Sequence, residues 1–266
     1  MGGITCQESD LPSEIIEREP SEETTVCERH GTPIQRDSVQ VLEQTITIGP
    51  GCSRCEEEAA EKERVREQQR QETQFIRLQD EAGIPVRYRT ASLEPVPLQA
   101  PGQDSVLDHA KGFVQASGSG STGLILLGKV GAGKTHTACA ILNAFLRRGL
   151  PGRYFSTVQA LRLIKETWRS QSEKTERQAL RTLCSPHLLI LDEVGIQHGT
   201  DSECLILNEV INDRYGRMAP TILVSNLTMK EFTQLLGERV VDRFREGGRV
   251  LVFDWPSLRQ RKSTGT

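Results

Sequence analysis

Between Leu124 and Phe253 the chain alternates short apolar runs with stretches in which apolar residues recur every three or four positions. The runs Leu124–Leu127, Arg153–Ser156, Leu188–Leu191, Thr221–Val224 and Arg249–Phe253 predict five strands. The unbroken apolar character of the first and third suits strands buried on both faces. The longer stretches predict helices. Thr135–Arg148 places Ala138, Ile141, Leu142 and Phe145 on one face, and Val158–Arg169 turns Val158, Leu161, Ile164 and Trp168 inward. Glu203–Tyr215 and Lys230–Arg245 follow the same pattern, the latter broken near Gly237. Strands alternating with helices predict an α/β domain with a five-stranded parallel sheet between helical layers.

The pattern before this region differs. Residues 56–82 are Glu, Arg, Gln and Ala, a composition that favours a helix, with sparse apolar positions at Val65, Phe75, Ile76 and Leu78. This predicts a solvated connecting helix, with a partner-binding face as the alternative. Residues 26–55 alternate weakly in the β manner (Val39, Val41, Ile46, Ile48) between two cysteine-containing pairs. Residues 1–24 hold seven acidic side chains and one basic, and read as an acidic flexible tail. Prolines at 85, 95, 97 and 101 make 83–103 irregular, and 117–123 reads as a turn. Its G-x-G-x-x-G precedes a strand instead of following one, so it is not a dinucleotide fingerprint.

Composition narrows the classes. Hydrophobic residues are 36% and charged residues 26%, enough for a packed core with some chain outside it. A net charge of −3 excludes a protein held on DNA by bulk charge, though not a local basic surface. No apolar run suits a membrane span, and no basic-then-apolar leader opens the chain, so a cytoplasmic location is expected. Seven cysteines fit metal ligands plus buried thiols (Cys139, Cys184, Cys204) better than a disulfide framework, and Cys6 stands outside both groups.

Gly128-Lys129-Val130-Gly131-Ala132-Gly133-Lys134-Thr135 matches G-x-x-x-x-G-K-[ST] in full, after a strand and into a helix. Its backbone N–H groups suit phosphate oxygens, Lys134 the β- and γ-phosphates, and the Thr135 hydroxyl Mg²⁺. Leu188–Leu191 leads into Asp192 and Glu193, 57 residues after Thr135. Asp192 would hold Mg²⁺ and Glu193 would polarise the attacking water. Asn226, closing the next strand, would help position that water; a turn-forming Asn is the alternative. Cys27-Glu-Arg-His30 and Cys52-Ser-Arg-Cys55 are two knuckles separated by 21 residues, which suits a closed structural Zn²⁺ site.

Together the ATP motifs resemble the AAA+ ATPases. Gly83–Arg89, Leu189–Gly195, Leu236–Arg243 and Phe253–Arg259 narrow the likeness to the DnaC-type replicative-helicase loaders, over roughly residues 83–266. The resemblance implies an ATPase domain there without a helical lid, after a zinc-ribbon-like module at 25–56 and a helical linker at 57–82. It implies that Arg243 is the arginine finger acting on a neighbouring subunit's ATP, and Arg259 the second sensor arginine acting on its own. It further implies docking of the zinc module onto a DnaB-type helicase hexamer, self-association with ATP, and single-stranded DNA held near Lys165, Trp168 and Arg169. Trp168 remains open between base stacking and core packing. Two other functions stay open: an IstB-type transposition helper, and a zinc-dependent adaptor with little ATP turnover.

Overall fold

The structure, a computed structural model, describes residues 23–41, 44–48, 51–94, 100–116, 123–169, 172–195 and 200–258. The chain divides into two compact units, Met1–Glu72 and Thr73–Thr266. Of the expected acidic tail 1–24, residues 1–22 with Cys6 lie outside the described residues, as does Arg259, whereas Glu23 and Thr24 belong to a strand, which corrects that bound.

In the first unit, β1 (Glu23–Val26), β2 (Pro33–Val41) and β3 (Gln44–Ile48) form an antiparallel sheet in that order. The β1–β2 loop is closed by two backbone bonds. Gly31 N–H donates to Cys27 O at 2.8 Å, and Cys27 N–H to Thr32 O at 2.9 Å. Helix α1 (Ser53–Ala82) starts at the second cysteine pair. From Ala59 to Gln74 every residue of α1 is exposed, as its run of Glu, Arg and Gln requires.

The second unit takes in the last turns of α1, where Phe75, Gln79 and Ala82 are buried. Next comes α2 (Gln103–Gln115). The alternating part runs β4 (Gly123–Gly128), α3 (Lys134–Arg147), β5 (Gly152–Ser156), α4 (Thr157–Lys165), α5 (Glu176–Cys184), β6 (Leu188–Asp192), α6 (Asp201–Gly216), β7 (Thr221–Ser225), α7 (Met229–Leu236), α8 (Glu238–Gly247) and β8 (Gly248–Phe253). All five strands are parallel, in the order β5-β6-β7-β4-β8. Successive side chains of a strand leave opposite faces. Accordingly Leu124 and Leu126 pack with Phe113, Phe145 and Ile141, whereas Ile125 and Leu127 pack with Ile164, Val210 and Phe244. Gly237, at φ 87°, divides α7 from α8. No helix among the described residues is long and apolar enough to cross a membrane.

Three expectations change. Val158, in the first turn of α4, is exposed, while Leu161 and Ile164 are buried as expected and Ala160 joins them. Trp168 is 54% exposed: α4 ends at Lys165, and the tighter 3₁₀ turn Glu166–Trp168 carries the indole off the apolar stripe. Cys204 is only half-buried, while Cys139 and Cys184 are core thiols. Helices α2 and α5 fall where the sequence reading placed no element.

One buried cation secures the strands that carry the site. Arg214 on α6 is fully buried. Its guanidinium donates to the carbonyls of Leu183, Cys184, Pro186, His187 and Pro220 and to Thr221 Oγ1, at 2.6–3.2 Å. Two of these carbonyls belong to the last turn of α5, which has no helical donors for them and favours a cation. The others lead into β6 and β7. Replacing Arg214 by Met would leave buried carbonyls without donors. The expected cost is about 3 kcal/mol of stability, read as a lower urea midpoint at unchanged slope; a midpoint equal to the parent's would show that the node contributes nothing.

Candidate functional site

The parallel sheet brings the carboxyl ends of β4, β6 and β7 to one edge, where ligands of open α/β sheets sit. The loop 128–135 leaves β4 there and enters α3. Gly128 (φ 139°) and Gly131 (φ 78°) adopt backbone that favours glycine. A Cβ on Gly128 would stand 2.3 Å from Phe253 O, and one on Gly131 2.2 Å from Ser257 Oγ. Lys134, at the start of α3, is buried, and its Nζ donates to Gly128 O (2.7 Å), Lys129 O (2.8 Å) and Asn226 Oδ1 (2.8 Å). The geometry therefore joins two of the sequence-selected residues directly, Lys134 and Asn226.

Asp192 closes β6 and is 3% exposed. Its Oδ2 accepts the Tyr154 hydroxyl at 2.8 Å, and its Oδ1 accepts the Glu193 N–H at 2.8 Å. Burial and the Asp192 charge push the Tyr154 phenol upward, so it keeps its proton and remains a donor. Burial, then the same carboxylate, pushes the neighbouring Cys139 thiol up to about 12. Glu193 is exposed and takes φ 61°, a left-handed turn rare for a residue with a side chain. This turn ends the strand, and Val194 N–H is caught by Val224 O at 2.9 Å. Thr135 is half-buried in the first turn of α3.

Two features of this site escaped the sequence reading. One is Tyr154, at the middle of the half-buried edge strand β5, whose only signal was a phenol within a strand. The other is the segment after β8. Trp255 is buried, and its indole N–H donates to Ala132 O at 2.8 Å. Leu258 N–H donates to Gly131 O at 2.9 Å, and Lys129 pairs with Asp254 at 3.1 Å. The loop is thus clasped from outside by the segment the sequence reading matched to a family without giving Trp255 a role.

The remaining candidates lie on other elements. Arg243, on α8, stacks its guanidinium 5.0 Å over the ring of Tyr215, whose hydroxyl donates to Glu246. Lys165 pairs with Glu203 at 2.7 Å, while Trp168 and Arg169 are exposed.

In the first unit the four knuckle residues converge, their ligand atoms all within 4.8 Å of one another. Cys27 and Cys55 Sγ are 3.7 Å apart, and His30 Nδ1 lies 3.3 Å from Cys55 Sγ, 3.6 Å from Cys52 Sγ and 3.8 Å from Cys27 Sγ. Tetrahedral zinc with the usual bond lengths needs S···S edges of about 3.8 Å and S···N edges of about 3.5 Å, so the donor set fits this ion. The Cys55 N–H draws the Cys52 thiol down to about 6, whereas Cys27 and the other neighbours push Cys55 up to about 11. Thiolates this close repel one another, and a cation at their centre relieves that repulsion.

Comparison with known proteins gives matches over much of the chain. The model of the family described as IstB-like ATP binding protein matches residues 113–264. The replicative helicase loader DnaC of Escherichia coli (strain K12) is 34% identical over 181 residues, 68% of this chain and 74% of that protein. YdaV of the same organism is 30% identical over 213 residues, 80% of this chain and 82% of its own. The crystal structure of the DnaC helicase loader superposes with a TM-score of 0.56 at 26% identity, over 63% of this chain and 99% of that one.

The clasp on the loop generates a test. Trp255→Phe keeps a ring in the core but removes the donor to Ala132 O. Nucleotide affinity should fall about fivefold, the worth of one such bond. Titration with a fluorescent ATP analogue reads this, and an unchanged affinity would mean that the loop holds its shape alone.

Proposed function

The chain belongs to the IstB/DnaC-like family of ATP-binding proteins, and on that footing we propose that it is an ATP-dependent loader placing a replicative, DnaB-type helicase onto single-stranded DNA. The observation that carries the reading is the meeting of Lys134 and Asn226 at 2.8 Å, with Asp192 closing β6, in a chain 34% identical to a helicase loader over 68% of its length. A complete phosphate loop, water-side acid and polar strand end favour turnover over a passive adaptor.

Within this reading the loop amides of 128–135 and Lys134 receive the phosphates of ATP. Lys134 exchanges its carbonyl acceptors for phosphate oxygens, which are charged and bind an ammonium more strongly. Thr135 and Asp192 would hold Mg²⁺, which when bound neutralises charge on the β- and γ-phosphates. Tyr154 keeps Asp192 oriented. Glu193 orients the attacking water and accepts its proton, and Asn226 steadies that water once Lys134 has turned to the phosphates. Arg243 leaves Tyr215 and neutralises charge developing on the γ-phosphate of a neighbouring subunit. Hydrolysis then undoes the assembly that ATP completed. Arg259 would contact the nucleotide of its own chain.

Cys27, His30, Cys52 and Cys55 would hold zinc and shape residues 25–56 into the helicase-docking module, ahead of the helical linker 57–82 and the ATPase domain 83–266. For single-stranded DNA, the exposure of Trp168 favours base stacking over core packing, with Arg169 beside it on a phosphate. Lys165 joins them by exchanging Glu203 for the DNA backbone. The IstB-like family match favours a transposition helper as the second reading, and co-purification of a helicase instead of a transposase decides between the two.

Two experiments test the ATP reading. Lys134→Ala should abolish tight ATP binding, whereas Glu193→Gln should bind ATP, hydrolyse it at least a hundredfold more slowly and accumulate the ATP-bound assembly, since a positioned general base contributes about 10²–10⁴-fold. Turnover of Glu193→Gln at the parent rate removes Glu193 from the mechanism. Arg243→Ala and Lys134→Ala chains, each nearly inactive alone, should regain partial ATPase activity when mixed, because an intact loop then meets an intact finger. Mixed assemblies that form yet stay inactive count against action in trans.

A further inference from the structure

The zinc reading leaves one contact of His30 without a role. His30 turns Nδ1 to the three thiols, and its other nitrogen, Nε2, lies 2.9 Å from Glu58 Oε1. Glu58 sits one turn after Cys55 on α1, and its second oxygen, Oε2, pairs with Arg29 at 3.0 Å. Arg29 lies between Cys27 and His30 in the first knuckle. A carboxylate can only accept, so Nε2 carries the hydrogen and Nδ1 is left with the lone pair that faces the thiols.

We propose that Glu58 is the positioning residue of the metal centre: it fixes the tautomer and ring orientation of His30 so that Nδ1 is delivered as the fourth ligand. The inference rests on the zinc reading above and deepens it. Metal-bound imidazoles commonly donate their other N–H to a carboxylate, which raises the basicity of the ligating nitrogen and holds the ring in plane with the ion. Here the same carboxylate bridges the two halves of the site, since Glu58 follows Cys52 and Cys55 while Arg29 and His30 belong to the other knuckle. Glu58 keeps 41% of its side chain exposed, so nothing in the packing of α1 demands a carboxylate there. Glu56 and Glu57 beside it make no bond to His30; Glu56 instead accepts the Gly51 N–H at 2.8 Å.

The test uses the full chain and zinc itself. The parent protein is first assayed for metal: about one zinc per chain is expected, and a parent without zinc overturns the zinc reading and the inference with it. Zinc affinity is then measured by competition with a chelator. Glu58→Ala should weaken binding about 10- to 100-fold, the usual effect of losing such a partner. Glu58→Gln, whose amide oxygen still accepts from Nε2, should recover most of that loss. Arg29→Ala, which spares the Glu58–His30 bond, should change affinity less than threefold. In a His30→Cys background the fourth ligand is a thiolate with no ring to orient, so adding Glu58→Ala should cost less than threefold. Nitrogen-15 spectra of the zinc-loaded parent should show His30 protonated at Nε2. With a zinc-bound parent, an unchanged affinity in Glu58→Ala overturns the inference while the zinc reading stands. So does an equal loss in the His30→Cys background, which would mark Glu58 as a general support of the fold, or a loss in Arg29→Ala matching that in Glu58→Ala.

Discussion

The second unit depends on how closely β4 can be approached by its two neighbours. β4 pairs with β7 on one side and β8 on the other, and it begins and ends in glycine. A Cβ on Gly123 would come within 2.0 Å of Thr221 O, and one on Gly128 within 2.3 Å of Phe253 O. Any side chain at these ends would push a neighbouring strand away. The strand register therefore carries straight into the loop that follows, with Gly128 opposite Phe253, and the segment after β8 reaches Ala132 and Gly131. Phosphate loop and carboxyl-terminal clasp are two consequences of the same close approach.

Much of this arrangement was legible in the sequence because buried parallel strands and amphipathic helices leave strong periodic patterns. All five strands and the break at Gly237 follow from that pattern, and the convergence of Cys27, His30, Cys52 and Cys55 follows from knuckle spacing. Helix α5 escaped because its apolar face is short, Ala179, Leu183 and Cys184 buried with Leu180 half-buried beside them, although Thr175 and Gln178 form a capping box that marks its start. Helix α2 escaped behind Gly112, a residue that argues against a helix interior, although Val106, Ala110 and Phe113 keep helical spacing. The inward placement of Trp168 failed for a related reason: a stripe extrapolates only while the helix keeps its pitch.

Contacts between distant side chains were the least legible. Nothing in spacing ties Tyr154 to Asp192, or Gln79 to Asn143, whose amide also donates to the Ala91 carbonyl at 2.9 Å. These polar contacts are set by the three-dimensional placement of β5, β6, α1 and α3. They hold the segment around 88–91 and the Asp192 carboxylate in place, and each is satisfied by partners far away in the chain. Periodicity reports which face of an element is buried; it carries no information about which buried polar atom meets which.

The chain's two tryptophans occupy opposite environments, which gives the molecule built-in optical reporters. Trp255 is enclosed, with its indole N–H bonded to the phosphate loop, and Trp168 stands open to water beside Arg169. An enclosed indole emits at shorter wavelength than a hydrated one, so the two contributions separate in a single emission spectrum. The blue component follows the loop and the red component follows the surface of the 3₁₀ turn. Changes around the loop and at the 3₁₀ turn can thus be watched together in unlabelled protein, in the order in which they occur.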